Sequence, residues 1–124
     1  MLHHISLPVG DLSAATRFYS AALEALGARL VYEDERFSGF GVTEDDDIFG
    51  LRRAEPAIPA GLGFHLAFGA PSRAAVDAFY AAALTQGGSD NGPPGVRTAY
   101  GPDYYAAFVI DPDGHRIEAV FKGP

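Results

Sequence analysis

The sequence predicts an α+β fold of two pseudo-symmetric βαβββ modules, each a four-stranded unit with one helix. Three observations carry that reading: an internal repeat, a strand-then-helix pattern in each copy, and a strong turn near the end that sets up a closing hairpin. The repeat aligns HISLPVGDLSAATRFYSAALEALG from His4 with HLAFGAPSRAAVDAFYAAALTQGG from His65, an offset of 61 positions. Eight of 24 positions are identical: His4/His65, Ala14/Ala75, Phe18/Phe79, Tyr19/Tyr80, Ala21/Ala82, Ala22/Ala83, Leu23/Leu84 and Gly27/Gly88. Each copy is about half of the 124 residues, too long for a solenoid repeat. The chain therefore reads as one domain, 1–124, with module one at about 1–57 and module two at about 58–124.

Each element has its own signal. Leu2–Val9 and Leu62–Gly69 alternate apolar residues as strands do. Ala15, Phe18, Tyr19, Ala22, Leu23 and Leu26 then form one helical stripe, matched by Val76, Phe79, Tyr80, Ala83 and Leu84. Asp11 or Ser13 caps the first helix and Ser72 the second, while Gly27 and Gly88 stand where a left-handed residue ends each. Arg29–Tyr32, Phe37–Val42 and Ile48–Arg53 follow as strands, then Val96–Tyr100, Tyr104–Ile110 and His115–Phe121 in module two. Asp111-Pro112-Asp113-Gly114 turns the last two into a hairpin, with Ile110 expected opposite His115. Gly87–Gly95 reads as a Gly/Pro-rich rim or lid.

Composition narrows the function. Sixteen acidic against nine basic side chains give a net charge of −7, and no basic run tracks a phosphate backbone, which argues against nucleic acid. No apolar stretch approaches the roughly 20 residues that span a bilayer, so no membrane partner is expected. The chain has no cysteine, so any metal is held by His and carboxylate, and a cytoplasmic setting is expected.

Strand parity then selects residues. Ile5, Leu7 and Val9 share the helix-facing side, which leaves His4 and Ser6 on the other; Phe64, Leu66 and Phe68 likewise leave His65 opposite. Ile117, Ala119 and Phe121 form the apolar row of the last strand, so Glu118 faces away. If the open faces curl together, His4, His65 and Glu118 converge in a cleft as three potential metal ligands. With Ile110 opposite His115, Ala107 faces Glu118 and Tyr105 becomes the acid/base candidate; a shift of one residue gives that place to Tyr104. Ser6, Phe49 and Leu51 are expected in the pocket, with Arg97 and Tyr100 at its rim. His115 is expected to be solvated, Tyr19 and Tyr80 to be core, Asp111 and Asp113 to serve the turn, and Glu44-Asp45-Asp46-Asp47 to be a solvated loop.

At these residues the chain resembles the vicinal oxygen chelate superfamily, which includes glyoxalase I, extradiol dioxygenases, fosfomycin-resistance enzymes and bleomycin-binding proteins. The carriers are His4-Ile5-Ser6-Leu7-Pro8-Val9-Gly10-Asp11-Leu12 with Phe18-Tyr19, Phe64-His65-Leu66-Ala67-Phe68, and Asp111-Pro112-Asp113-Gly114-His115-Arg116-Ile117-Glu118. The resemblance implies that the two modules form an open U-shaped mixed sheet, with helices outside, around a metal held where His4, His65 and Glu118 stand. It implies Fe(II) or Mn(II) first, Ni(II) or Zn(II) next, a small oxygenated substrate, and a possible homodimer. Aligning Ile48–Leu51 with Ile117–Val120 puts Phe49 at the counterpart of Glu118, where glyoxalase I enzymes usually place a fourth, glutamate ligand. That departure favours three-ligand, extradiol dioxygenase-like chemistry over a glyoxalase I-like lyase. The competing class is a metal-free module of the bleomycin-resistance type, an acidic sink for a cationic compound.

Overall fold

The computed structural model describes residues 1–124. Module one runs β1 (Ile5–Val9), α1 (Leu12–Glu24), β2 (Arg29–Glu33), β3 (Phe37–Gly41) and β4 (Phe49–Arg53). Module two runs β5 (Leu66–Gly69), α2 (Arg73–Thr85), β6 (Ser89–Asp90), β7 (Gly95–Val96), a 3-10 turn (Thr98–Tyr100), β8 (Tyr104–Ile110) and β9 (Arg116–Lys122). The first sheet has the order β1-β4-β3-β2; the second has β5-β9-β8-β6, with β7 also on β8. In each, the first strand pairs in parallel with the last, and the remaining pairs are antiparallel. The fold class is the expected α+β arrangement, open rather than closed. No helix is long and apolar enough to cross a membrane.

The helices follow from the repeat. Both are 13 residues long. Asp11 accepts the Ala14 N–H at 3.0 Å, and Ser72 accepts that of Ala75 at 3.0 Å, so the caps stand at matching positions. Ala15, Phe18, Tyr19, Ala22 and Leu23 are buried, as are Val76, Phe79 and Ala83. Tyr80 is only half-buried and sends its hydroxyl to Asp90 at 2.9 Å. Gly27 takes a positive φ of 90°, but in module two Gly87 does so rather than Gly88. Gly88 is needed for space: a Cβ there would stand 2.9 Å from the Phe18 ring.

One hydrophobic cluster unites both modules. The Phe49 ring lies 4.9 Å from Tyr19 and 5.2 Å from Phe68, edge-on to the latter. α1 packs along α2, and the turn before β9 locks onto module one. Tyr19 donates to Asp111 Oδ2 at 2.5 Å, while Asp111 Oδ1 accepts the N–H groups of Asp113 and His115. Asp113 accepts the Gly10 N–H, and His115 Nε2–H donates to the Pro8 carbonyl at 2.6 Å. His115 is therefore buried, not solvated, because the seam between modules closes over it.

Two further expectations change. Val96–Tyr100 is no strand; the edge of the second sheet breaks into β6, β7 and the 3-10 turn around Asn91-Gly92-Pro93-Pro94. The hairpin register also shifts. Asp111 N–H bonds the His115 carbonyl at 2.8 Å, closing a three-residue loop in which Gly114 takes a φ of 93°. Ile110 thus faces Arg116, and Phe108 faces Glu118.

Candidate functional site

The open face of the second sheet holds an organised polar cluster. Ile117 and Ala119 point into the core, so Glu118 points away from the helices. It is nevertheless only 1% exposed, because neighbours on its own face cover it. Tyr104 O–H donates to Oε2 at 2.5 Å, and His65 Nε2 lies 3.0 Å from Oε1. The strand registers explain both contacts. Glu118 sits beside Ala67, two residues after His65, and opposite Phe108, whose face Tyr104 shares. Burial first, then the hydrogen bond and charge of Glu118, push the Tyr104 phenol up to about 12, so it remains the donor. The Phe108 ring lies 6.4 Å from the half-exposed His65 ring. The Arg97 guanidinium lies over Phe108 at 5.4 Å, and the exposed Tyr100 packs against Tyr104 at 5.2 Å.

The shifted hairpin register makes Tyr104, not Tyr105, the tyrosine of this face. Tyr105 lies on the helix side, where its hydroxyl donates to Asp77 at 2.7 Å and Arg73 covers its ring. Phe49 and Leu51 are likewise corrected. They pair with Ile5 and Leu7 and are buried in the core, not in a pocket. The registers Leu66↔Ile117 and Ile5↔Phe49 also show that the counterpart of Glu118 is Gly50, one residue further on. Gly50 has no side chain, so the position still offers no carboxylate. The Phe37 ring takes the space instead: a Cβ on Gly50 would stand 2.5 Å from it.

His4 does not join His65 and Glu118 within the chain. It is exposed just before β1, its Nδ1 is 2.9 Å from that of His3, and its neighbours are Ser6, Phe37, Asp47 and Arg52. No three His, Cys, Asp or Glu side chains of one chain gather as a metal-holding group. The reason is topological: β1 ends the first sheet, while β5 and β9 belong to the second. Ser6 is exposed on the first sheet with His4; Arg97 and Tyr100 accompany His65. The largest depression, about 750 Å³, lies elsewhere, by the start of α1, and contains none of the expected site residues. Phe108 is the site residue that sequence reasoning missed. The signal for it was Gly114, which permits the three-residue loop that brings Phe108 opposite Glu118.

The His65–Glu118 pair suits a metal ion. Two ligands about 2.1 Å from one ion, at right angles, lie about 3.0 Å apart, and the two donor atoms are separated by that distance. The half-exposed imidazole leaves the other side of such an ion open to further ligands.

Comparison with known proteins identifies the family. The family described as the Glyoxalase/Bleomycin resistance protein/Dioxygenase superfamily matches residues 1–119. A glyoxalase/bleomycin resistance protein from Albidiferax ferrireducens T118 is similar over 98% of both chains, at 30% identity and a TM-score of 0.84. The fosfomycin resistance protein FosX from Listeria monocytogenes shares the fold at 20% identity and a TM-score of 0.72, over 99% of this chain and 93% of its own. Glyoxalase I from Zea mays, as its E144Q mutant, superposes with a TM-score of 0.71 at 21% identity, over 95% of this chain and 45% of its own. No curated protein matches the sequence. With its repeat, sheet order and matched span taken together, the chain belongs to the glyoxalase/bleomycin resistance protein/dioxygenase superfamily.

Proposed function

We propose that the protein is a divalent-metal-dependent enzyme acting on a small oxygenated substrate, its metal held by His65 and Glu118 of one copy and His4 of a second. The observation that carries this is the 3.0 Å separation of His65 Nε2 and Glu118 Oε1, the spacing of two adjacent ligands on one ion. His4 stands exposed on the open face of the other sheet, unable to complete the set in its own chain but available to another. A twofold pair that apposes first and second sheets gives each copy one complete site. An Fe(II) or Mn(II) ion, or failing these Ni(II) or Zn(II), supplies Lewis acidity toward substrate oxygens there.

The chain's own groups do the rest. Tyr104 fixes Glu118 Oε2, which aims Oε1 toward His65. Phe108 stands directly opposite Glu118, whose carboxylate is almost wholly shielded from water. The Tyr104 phenol, held on Glu118, is the group of this face suited to donate a proton to a bound substrate oxygen. With Gly50 in place of a fourth carboxylate, three-ligand chemistry of the extradiol dioxygenase kind is preferred to that of a glyoxalase I-like lyase. A cytoplasmic setting accompanies this reading, since the cysteine-free chain needs no oxidising compartment.

One observation favours a second reading, a metal-free module that binds a small molecule. His65 and Glu118 stand at ion-pair distance from each other, and one chain gathers no third ligand. Complementation separates the two. Untagged protein is reconstituted anaerobically with Fe(II) or Mn(II), and bound metal is counted for the wild type, His4→Ala, His65→Ala and an equal mixture of the variants. A site shared between copies predicts loss in each variant and recovery to about a quarter of wild type on mixing, since only mixed pairs hold one intact site. Wild type that stays metal-free, or His65→Ala that keeps its metal, would overturn the proposal.

A further inference from the structure

We propose that Arg97 is the specificity residue of this site, receiving an oxyanion group of the substrate, a carboxylate or a phosphonate or phosphate. The inference deepens the reading above by naming the charge of the substrate, and it rests on that reading for the ligand being a substrate.

Four observations support it. The Arg97 N–H bonds the Tyr104 carbonyl at 2.8 Å, which puts the Arg97 side chain on the face that holds Tyr104 and Glu118. Its guanidinium lies over the ring of Phe108, the residue directly opposite Glu118 and beside His65. The Gly/Pro loop is shaped around that guanidinium. A Cβ on Gly92 would stand 3.2 Å from Nη2, a Cβ on Gly95 would stand 3.2 Å from Nη1, and the Pro93 carbonyl accepts from Nη2. The loop itself is anchored: Asp90 accepts from Tyr80 and from the Gly92 N–H, and the Gly92 carbonyl accepts the Phe108 N–H. Finally, no carboxylate neutralises the group. The ion pairs of the chain are Arg29–Glu44 and His65–Glu118, although acidic side chains outnumber basic ones sixteen to nine.

A guanidinium has five N–H donors in a planar fork, and here a single carbonyl takes one of them. Stacking on an aromatic ring and a close-fitting backbone restrict the fork before any ligand arrives, so less entropy is lost on binding. Its remaining donors match the paired oxygens of a carboxylate or phosphonate.

The test uses full-length, metal-free protein, so that failure of the metal reading and failure of this one are distinguishable. Benzoate, phenylphosphonate and neutral benzamide are titrated into wild type, Arg97→Gln and, as a charge-matched control on the outer helix, Arg17→Gln, with amide NMR shifts as the readout. Expected are anion-dependent shifts at Gly92, Gly95 and Phe108, weakening by about tenfold or more in Arg97→Gln, and wild-type affinity in Arg17→Gln. Binding of benzoate alone assigns a carboxylate; binding of phenylphosphonate alone assigns a tetrahedral oxyanion. Equal binding of benzamide, unchanged affinity in Arg97→Gln, or no anion binding would each overturn the proposal. If Arg97→Gln does not fold, Arg97→Lys serves: it keeps the charge but loses the fork, and the same weakening is expected.

Discussion

Viewed from the helices, the two modules are nearly the same object; viewed from the open faces, they are not. Their helices have equal length and matched caps, and the residues beneath them are apolar in both. Across the open face, the row in module one is Ser6, Gly50 and Gly39, while the equivalent row in module two is Ala67, Glu118 and Phe108. Glycine leaves room in the first for the Phe37 ring and the Asp47 carboxylate to lie flat on the strands. The second carries a buried carboxylate and the ring beside it. A repeat that must share one core keeps its inner face, because close packing tolerates little change there. Its outer face has no such constraint, and there the modules differ in what they can do.

The largest expected effect comes from erasing that difference at its centre. Glu118→Gln keeps the shape and can still pair with Tyr104, but removes the charge that an ion requires. Metal affinity is predicted to fall by at least about a hundredfold, the upper range for loss of a supporting partner. Metal titration checks this, with circular dichroism showing that the sheet persists. Retained affinity in Glu118→Gln would mean that the second module does not hold the metal.

The seam tests the comparison where the modules meet, since module two supplies the carboxylate and module one the phenol. Tyr19→Phe leaves the buried Asp111 with only its two backbone donors. A loss of about 1.5–3 kcal/mol is predicted by urea unfolding at neutral pH, as for hydrogen bonds to charged groups. The pH dependence has a definite sign. Burial raises the Asp111 carboxyl above its ordinary value, against the lowering effect of its hydrogen bonds, Tyr19 first. An ionised Asp111 therefore costs stability, and that cost is relieved as pH falls through the raised folded value toward the ordinary one. Removing Tyr19's hydroxyl raises the carboxyl further, so the difference between Tyr19→Phe and wild type should shrink in mild acid. A difference that grows on acidification would count against this account.

What was legible in the sequence divides along the same line. Helix stripes and caps recur 61 positions apart, so the repeat carried the inner face and the fold. The placement of His65 and Glu118 on one face was also legible, because parity needs only alternation within a strand. Relations between strands were harder to read. One residue in the hairpin loop exchanged Tyr105 for Tyr104, and one residue in the repeat alignment exchanged Gly50 for Phe49. Both errors have the period of two as their cause: a slip of one flips every side chain to the other face. That His4 stands apart from its expected partners within the chain was not legible, since two separate sheets share no register that sequence could reveal.

The smallest predicted effect probes whether module one could ever have held a ligand where module two does. Gly50→Ala puts a methyl group 2.5 Å from the outer end of the Phe37 ring and 3.2 Å from Ser6 Oγ. The half-buried Phe37 can swing aside, losing its contact with Arg52, so the cost should sit at the low end for overpacking, about 1 kcal/mol. In a Phe37→Ala background the same substitution should be nearly neutral, and a double-mutant cycle by urea unfolding isolates that coupling. If Gly50→Ala costs the same in both backgrounds, the ring is not what keeps this position a glycine. If the coupling appears, the stacked aromatic has closed the place that corresponds to Glu118, and the asymmetry between modules is built into the packing of the first as much as into the chemistry of the second.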